Sequence, residues 1–150
     1  MGKRRISREI ALQFLYQYDN MLNSGDINEK EFSSNFDLFC STFNEKPQTD
    51  VLDFSIVLAS GTCENIQSIN NIIKNYSENW RISRMSKIDR NILRMSIYEI
   101  VYLRSIPPAV TINEAVEIAK KFGSEDSASF VNGILDKVNI ASQEGELNYD

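Results

Sequence analysis

Ile88-Asp89-Arg90-Asn91-Ile92-Leu93-Arg94-Met95-Ser96-Ile97-Tyr98-Glu99-Ile100-Val101-Tyr102-Leu103 is the stretch that decides the fold class. Ile88, Ile92, Met95 and Tyr98 recur at helical spacing, and Leu93, Ile97, Ile100, Val101 and Leu103 widen them into a broad apolar stripe. Pro107 and Pro108 stop the helix, because the residue before a proline is pushed out of helical backbone and proline brings no N–H.

The same period extends in both directions. Upstream, Ile6, Ile10, Phe14 and Tyr18 recur at every fourth residue, with Ala11, Leu15 and Leu22 beside them, and the turn-prone Asn23-Ser24-Gly25 ends the run. Phe32, Phe36, Phe39 and Phe43 mark a second helix, ended near Glu45-Lys46-Pro47; their three-and-four spacing favours core packing over base stacking. A third helix is expected from Asp50 or Val51 to about Tyr76. Gly61 interrupts it, at about 1 kcal/mol if mid-helix, which calls for either close packing or a bend. Asn79-Trp80-Arg81 follows.

Downstream, Thr111-Ile112-Asn113-Glu114 has the pattern of a capping box, and the helix it opens closes at Gly123. Ser124 is placed to cap a last helix with Phe130, Val131, Ile134, Leu135 and Val138 inward and Gly133 at a close approach; after Ala141 the acidic tail is expected to fray. Nothing alternates with period two. The expectation is all-α: some six helices in one domain over 1–150, with an amino-terminal half of about 1–78 packed on a carboxy-terminal half of about 87–141.

Composition bounds the chemistry. There is no histidine, which removes the usual general base at neutral pH and the common zinc constellations. No Walker loop, dinucleotide fingerprint or nucleophile elbow is present. Glu114 with Glu117, or Asp89 beside Arg90, read more cheaply as surface and ion-pair residues than as catalytic carboxylates. No enzyme, cofactor or metal is expected. Cys40 and Cys63 lack CxxC spacing and read as reduced, buried thiols. No run approaches the ~18 apolar residues of a membrane span, and the basic start leads into no apolar signal core, so cytoplasm is the expected compartment.

The formal charge of -5 conceals a division. Residues 1–18 and 79–104 are basic, and the segments after each are acidic. A chain so divided can turn one basic face to a phosphate backbone. Lys3, Arg4, Arg5 and Arg8 form the first cluster, able to fork onto phosphate or stack on unpaired bases. Arg81, Arg84, Lys87, Arg90 and Arg94 form the second, and charge alone leaves open whether they touch RNA or organise the junction. Two other readings remain: a protein-only scaffold, suggested by the acidic balance, and a carboxylate-dependent hydrolase.

Four segments in order narrow the choice. Arg4-Arg5-Ile6-Ser7-Arg8-Glu9-Ile10-Ala11-Leu12-Gln13-Phe14-Leu15-Tyr16, the run from Ile88 to Ile100, Ile106-Pro107-Pro108-Ala109-Val110-Thr111-Ile112-Asn113-Glu114-Ala115-Val116-Glu117-Ile118-Ala119-Lys120 and Phe130-Val131-Asn132-Gly133-Ile134-Leu135-Asp136 resemble the motifs of the NusB family of transcription antitermination proteins. The resemblance implies an all-helical fold of two bundles. It also implies a heterodimer with ribosomal protein S10 (NusE) that binds boxA RNA and delivers it to elongating RNA polymerase during ribosomal RNA synthesis. By matching position, Arg4, Arg5 and Arg8, with Lys3 beside them, resemble the RNA contact, and Phe130 resembles an aromatic at the RNA surface. Asp89 and Tyr98 resemble the side facing S10, and Asp126 a position near that interface. The arginine-rich start is short, and residues 26–50 match nothing in the family pattern. An exposed apolar helix face suits either S10 or a homodimer.

Overall fold

The computed structural model describes residues 2–24, 27–78 and 81–147, and every regular element among them is helical. The order is α1 (Lys3–Gln17), α2 (Asp19–Ser24), α3 (Glu29–Cys40), α4 (Thr49–Glu64), α5 (Ile66–Tyr76), a 3₁₀ turn (Ile82–Arg84), α6 (Lys87–Ile97) continuing into a π-helical segment (Tyr98–Leu103), α7 (Pro108–Phe122) and α8 (Ser127–Gln143). Helix α1 packs chiefly on α4 and α6, while α7 and α8 pack on each other and both on α6. The stripe that opened the sequence is therefore the hinge of the packing: Ile92, Leu93, Met95 and Ile97 are buried on several sides at once.

The helices lie where the period places them, but long runs are broken. The first run ends at Tyr18, whose ring tilts against Phe14 at 4.7 Å, and α2 restarts with Asp19 in the interior. Gly25 and Asn79-Trp80 lie outside the described residues. The long third run divides at Asn65, whose side chain donates back to the Gly61 carbonyl at 2.8 Å. Gly61 itself answers to packing, since a Cβ there would sit 1.9 Å from the Tyr98 ring. Phe32, Phe36 and Phe39 are core residues around Phe14, as expected, and α3 is capped by Asn28 in reciprocal hydrogen bonds with Glu31.

Three end signals read differently in the structure. Helix α7 begins at Pro108, a turn before the expected capping box, because proline suits the first helical position. Thr111 and Glu114 are then inside the helix and bond elsewhere. Helix α8 begins at Ser127, whose hydroxyl accepts from the Ser124 amide at 2.9 Å; Gly123 is extended, and its missing side chain makes room for Ser127. Gly133 faces open space and makes no close helix contact. The tail holds its structure further than expected. Gly145, at φ 70°, ends α8 with its amide bonded to Ser142 and the Glu146 amide to Ala141, a Schellman motif that returns Leu147 to the core.

Both cysteines are free thiols; burial pushes Cys63 up to about 12, leaving it an inert core group.

Candidate nucleic-acid interface

The four amino-terminal cations share one helix and have four different surroundings. Lys3 is exposed and meets Asp50 at 2.9 Å. Arg4 is exposed, and its guanidinium lies 3.8 Å from the centre of the Phe54 ring; among the described residues no carboxylate pairs with it. Arg5 is half-buried and forks onto Glu114, whose carboxyl that hydrogen bond holds below its ordinary range while the Arg5 guanidinium is raised in turn. Arg8 is only 2% exposed. Its fork donates to both oxygens of buried Glu99 at 2.8 Å each, and Thr111 adds a hydroxyl to the same carboxylate at 3.3 Å. Arg8, expected at an RNA surface, thus ties α1 to the π segment and α7 from within.

The groove between α1 and α4 holds Lys3, Arg4 and Phe54, and also Asp50 and Asp53. Its two cations and two carboxylates cancel in formal charge, with Arg4 as the cation most available to an outside anion.

Of the central cluster, Arg90 and Arg94 are buried around one carboxylate. Arg90 forks onto Asp19 and also donates to the carbonyls of Ile82 and Met85; Arg94 reaches Asp19 at 3.0 Å, Asn91 at 2.9 Å and Asn70 at 3.0 Å. Burial by itself would raise the Asp19 carboxyl, but the hydrogen bonds from Arg90 and Asn91 and the two arginine charges bring it below its usual range. This half of the cluster organises the junction. Arg81, Arg84 and Lys87 remain exposed, with Lys87 5.5 Å from the Tyr16 ring.

Phe130 is half-buried on α8, in a shallow cavity with Tyr76, Ser77, Glu78 and Lys137 that shares no wall with the Lys3–Arg4 groove. Asp126 is exposed one turn before it. Asp89 is half-buried and its Oδ1 has no hydrogen-bond partner among the described residues. Asp89 and Tyr98 do not form one patch: nine residues are about two and a half helical turns, which puts them on opposite sides of α6, and Tyr98 lies against Gly61.

The model of the NusB family matches residues 5–139. The chain is 42% identical over 150 residues to the transcription antitermination protein NusB of Desulfosudis oleivorans, covering 98% of this chain and 93% of that one. It is 47% identical to the protein of the same name from Thermodesulfovibrio yellowstonii over 137 residues, 91% of each. The chain belongs to the NusB family. Among solved structures it is similar to T. maritima NusB, with 32% identity, a TM-score of 0.74 and coverage of 93% and 92%. It is also similar to a chain in the crystal structure of the antitermination factors NusB and NusE in complex with dsRNA, with 26% identity, a TM-score of 0.77 and coverage of 94% and 98%. Membership places it with regulators of transcription and not with enzymes. Among the described residues no helix is long and apolar enough to cross a membrane, and no cluster of three metal-ligating side chains occurs.

Within this NusB fold, sequence reasoning missed a groove of about 580 Å³ lined by Tyr16, Phe43, Ile88, Phe122 and Glu9. Tyr16 and Phe122 are exposed there, and Glu9 keeps one buried carboxylate oxygen without a partner. The signal was available in Tyr16, which sits off the stripe of Ile10, Phe14 and Tyr18 and so has no core to enter.

Proposed function

We propose that the chain is an antitermination factor that binds boxA-type single-stranded RNA jointly with ribosomal protein S10 and links it to elongating RNA polymerase during ribosomal RNA transcription. The likeness to a chain in the crystal structure of NusB and NusE in complex with dsRNA, over nearly the full length of both, is the observation that carries the reading. RNA contact is assigned to Lys3, Arg4 and Arg5, with Phe130 as a stacking surface. Arg8 is a positioning residue that fixes α1. The S10 side is assigned to the groove between Tyr16 and Phe122, where the unpartnered oxygen of Glu9 suits a basic partner, and to Asp89, which follows the groove residue Ile88 and has an unpartnered oxygen of its own. Asp126, beside Phe130, joins the RNA and S10 edges, and Tyr98 serves packing.

The weak charge of the α1–α4 groove supports a shared mode of binding. Asp50 and Asp53 oppose a phosphate backbone there, so the chain alone offers a shallow electrostatic attraction and the partner adds the rest. Fluorescence anisotropy with labelled boxA RNA and a scrambled control, each with and without S10, tests this. Tighter binding of boxA in the presence of S10 is expected; superimposable curves for both RNAs with and without S10 would defeat it.

A further inference from the structure

A cleft of about 660 Å³ opens where α2, α5, the 3₁₀ turn and α6 meet, away from the groove assigned to S10 and from the Lys3–Arg4 groove. Asn23, Asn70, Lys74, Glu78, Arg81 and Arg94 contribute to its lining. Its size is that of a small-molecule site, and its charge is unbalanced. Asp19 is the carboxylate for both Arg90 and Arg94, so the floor keeps an excess positive charge in a buried setting. Arg94 has five N–H donors, and hydrogen bonds to Asp19, Asn23, Asn70 and Asn91 use four of them among the described residues.

The rim adds to the excess. Lys74 and Arg81 have no carboxylate within salt-bridge distance among the described residues, and the one acid of the lining, Glu78, is engaged by Lys137 at 2.7 Å. Glu78 is also held at φ 58°, a left-handed backbone that a non-glycine residue adopts at some cost, and such strain clusters at functional sites. Burial pulls the Arg94 guanidinium down to about 10, against the raising charge of Asp19. A second anion near the floor would relieve that.

We infer that this cleft binds a phosphate group, held between Lys74 and Arg81 at the rim with the side-chain amides of Asn23 and Asn70 and the charge of Arg94 at the floor. The group can arrive on a free nucleotide or on the RNA backbone; the chemistry is shared. The assignment is independent of the RNA reading, because a mononucleotide tests it without RNA.

The test is a titration of the full chain with inorganic phosphate and with adenosine 5′-monophosphate at low salt, followed by NMR of the asparagine side-chain amides. The Lys74→Gln/Arg81→Gln double variant is compared after its melting temperature is shown to be unchanged; both residues are on the rim, so the fold is not at stake. Saturable shifts at Asn23 and Asn70, with affinity for the mononucleotide weakened at least tenfold in the double variant, are expected. The same variant titrated with RNA assigns the source: a parallel loss points to the RNA backbone, and intact RNA binding points to a free nucleotide. Absence of saturation with both small anions, or equal mononucleotide affinity in the double variant, would overturn the inference.

Discussion

The two arginine clusters look alike in sequence and are sorted differently by the structure. At the amino terminus, α1 carries its cations along a gradient, from exposed Arg4 stacked on Phe54, through half-buried Arg5, to Arg8 sealed against Glu99. At the centre, Arg90 and Arg94 share Asp19 in the interior and leave Arg81 and Arg84 outside. The difference lies in distant carboxylates. Arg8 and Glu99 are 91 residues apart, and Arg90 and Asp19 are 71 apart. An arginine becomes structural when the fold brings it a buried acid, and stays available to phosphate when it does not.

Removing the central acid is the strongest way to break this contrast. Asp19→Ala leaves two guanidinium groups buried around no carboxylate, a loss of about 3–5 kcal/mol on the scale of a broken buried pair, read as a lower urea midpoint. Gly61→Ala comes next. The added methyl meets the Tyr98 ring, and overpacking of this kind costs about 1–3 kcal/mol, again by urea unfolding.

Acid sharpens the comparison. The folded state holds Asp19 and Glu114 below their ordinary range. Their stabilisation is therefore complete above the unfolded carboxylate value of about 4 and is lost as pH falls through the lower folded values. Thermal melts of Glu114→Gln should show a smaller loss over that window than the unaltered chain, by about 1 kcal/mol or less because the Arg5 pair is partly solvated. The smallest effect belongs to Asp50→Asn, which frees Lys3 from its exposed pair. RNA binding should tighten a few-fold at low salt, and the gain should vanish as salt screens it.

How far the sequence reached follows the range of the forces. Helix existence was legible because the apolar period is local: the Phe32–Phe39 part of the phenylalanine stripe and the Ile88–Leu103 stripe form as read, although α3 ends at Cys40 and leaves Phe43 beyond it, and the second stripe passes into a π segment that no local signal marks. The breaks at Tyr18 and Asn65 were not legible, since the interior position of Asp19 depends on arginines more than seventy residues away. The Thr111–Glu114 box misled because Pro108 starts α7 a turn earlier, and both side chains serve remote partners, Glu99 and Arg5. In the candidate interface the cluster of Lys3, Arg4, Arg5 and Arg8 was visible, but its sorting into outward and inward members was not. Gly61 was noticed as an anomaly; Tyr98 supplies its reason.

In the proposed function Lys3 and Arg4 face RNA from a helix that Arg8 holds in place. Measuring boxA RNA affinity with S10 present across a series of salt concentrations, for the unaltered chain and for Lys3→Ala/Arg4→Ala, tests it most directly. Two lost phosphate contacts should flatten the slope of log affinity against log salt by about 1.4 for a single strand, with an unchanged urea midpoint. An unchanged slope in a normally folded double variant would contradict the account.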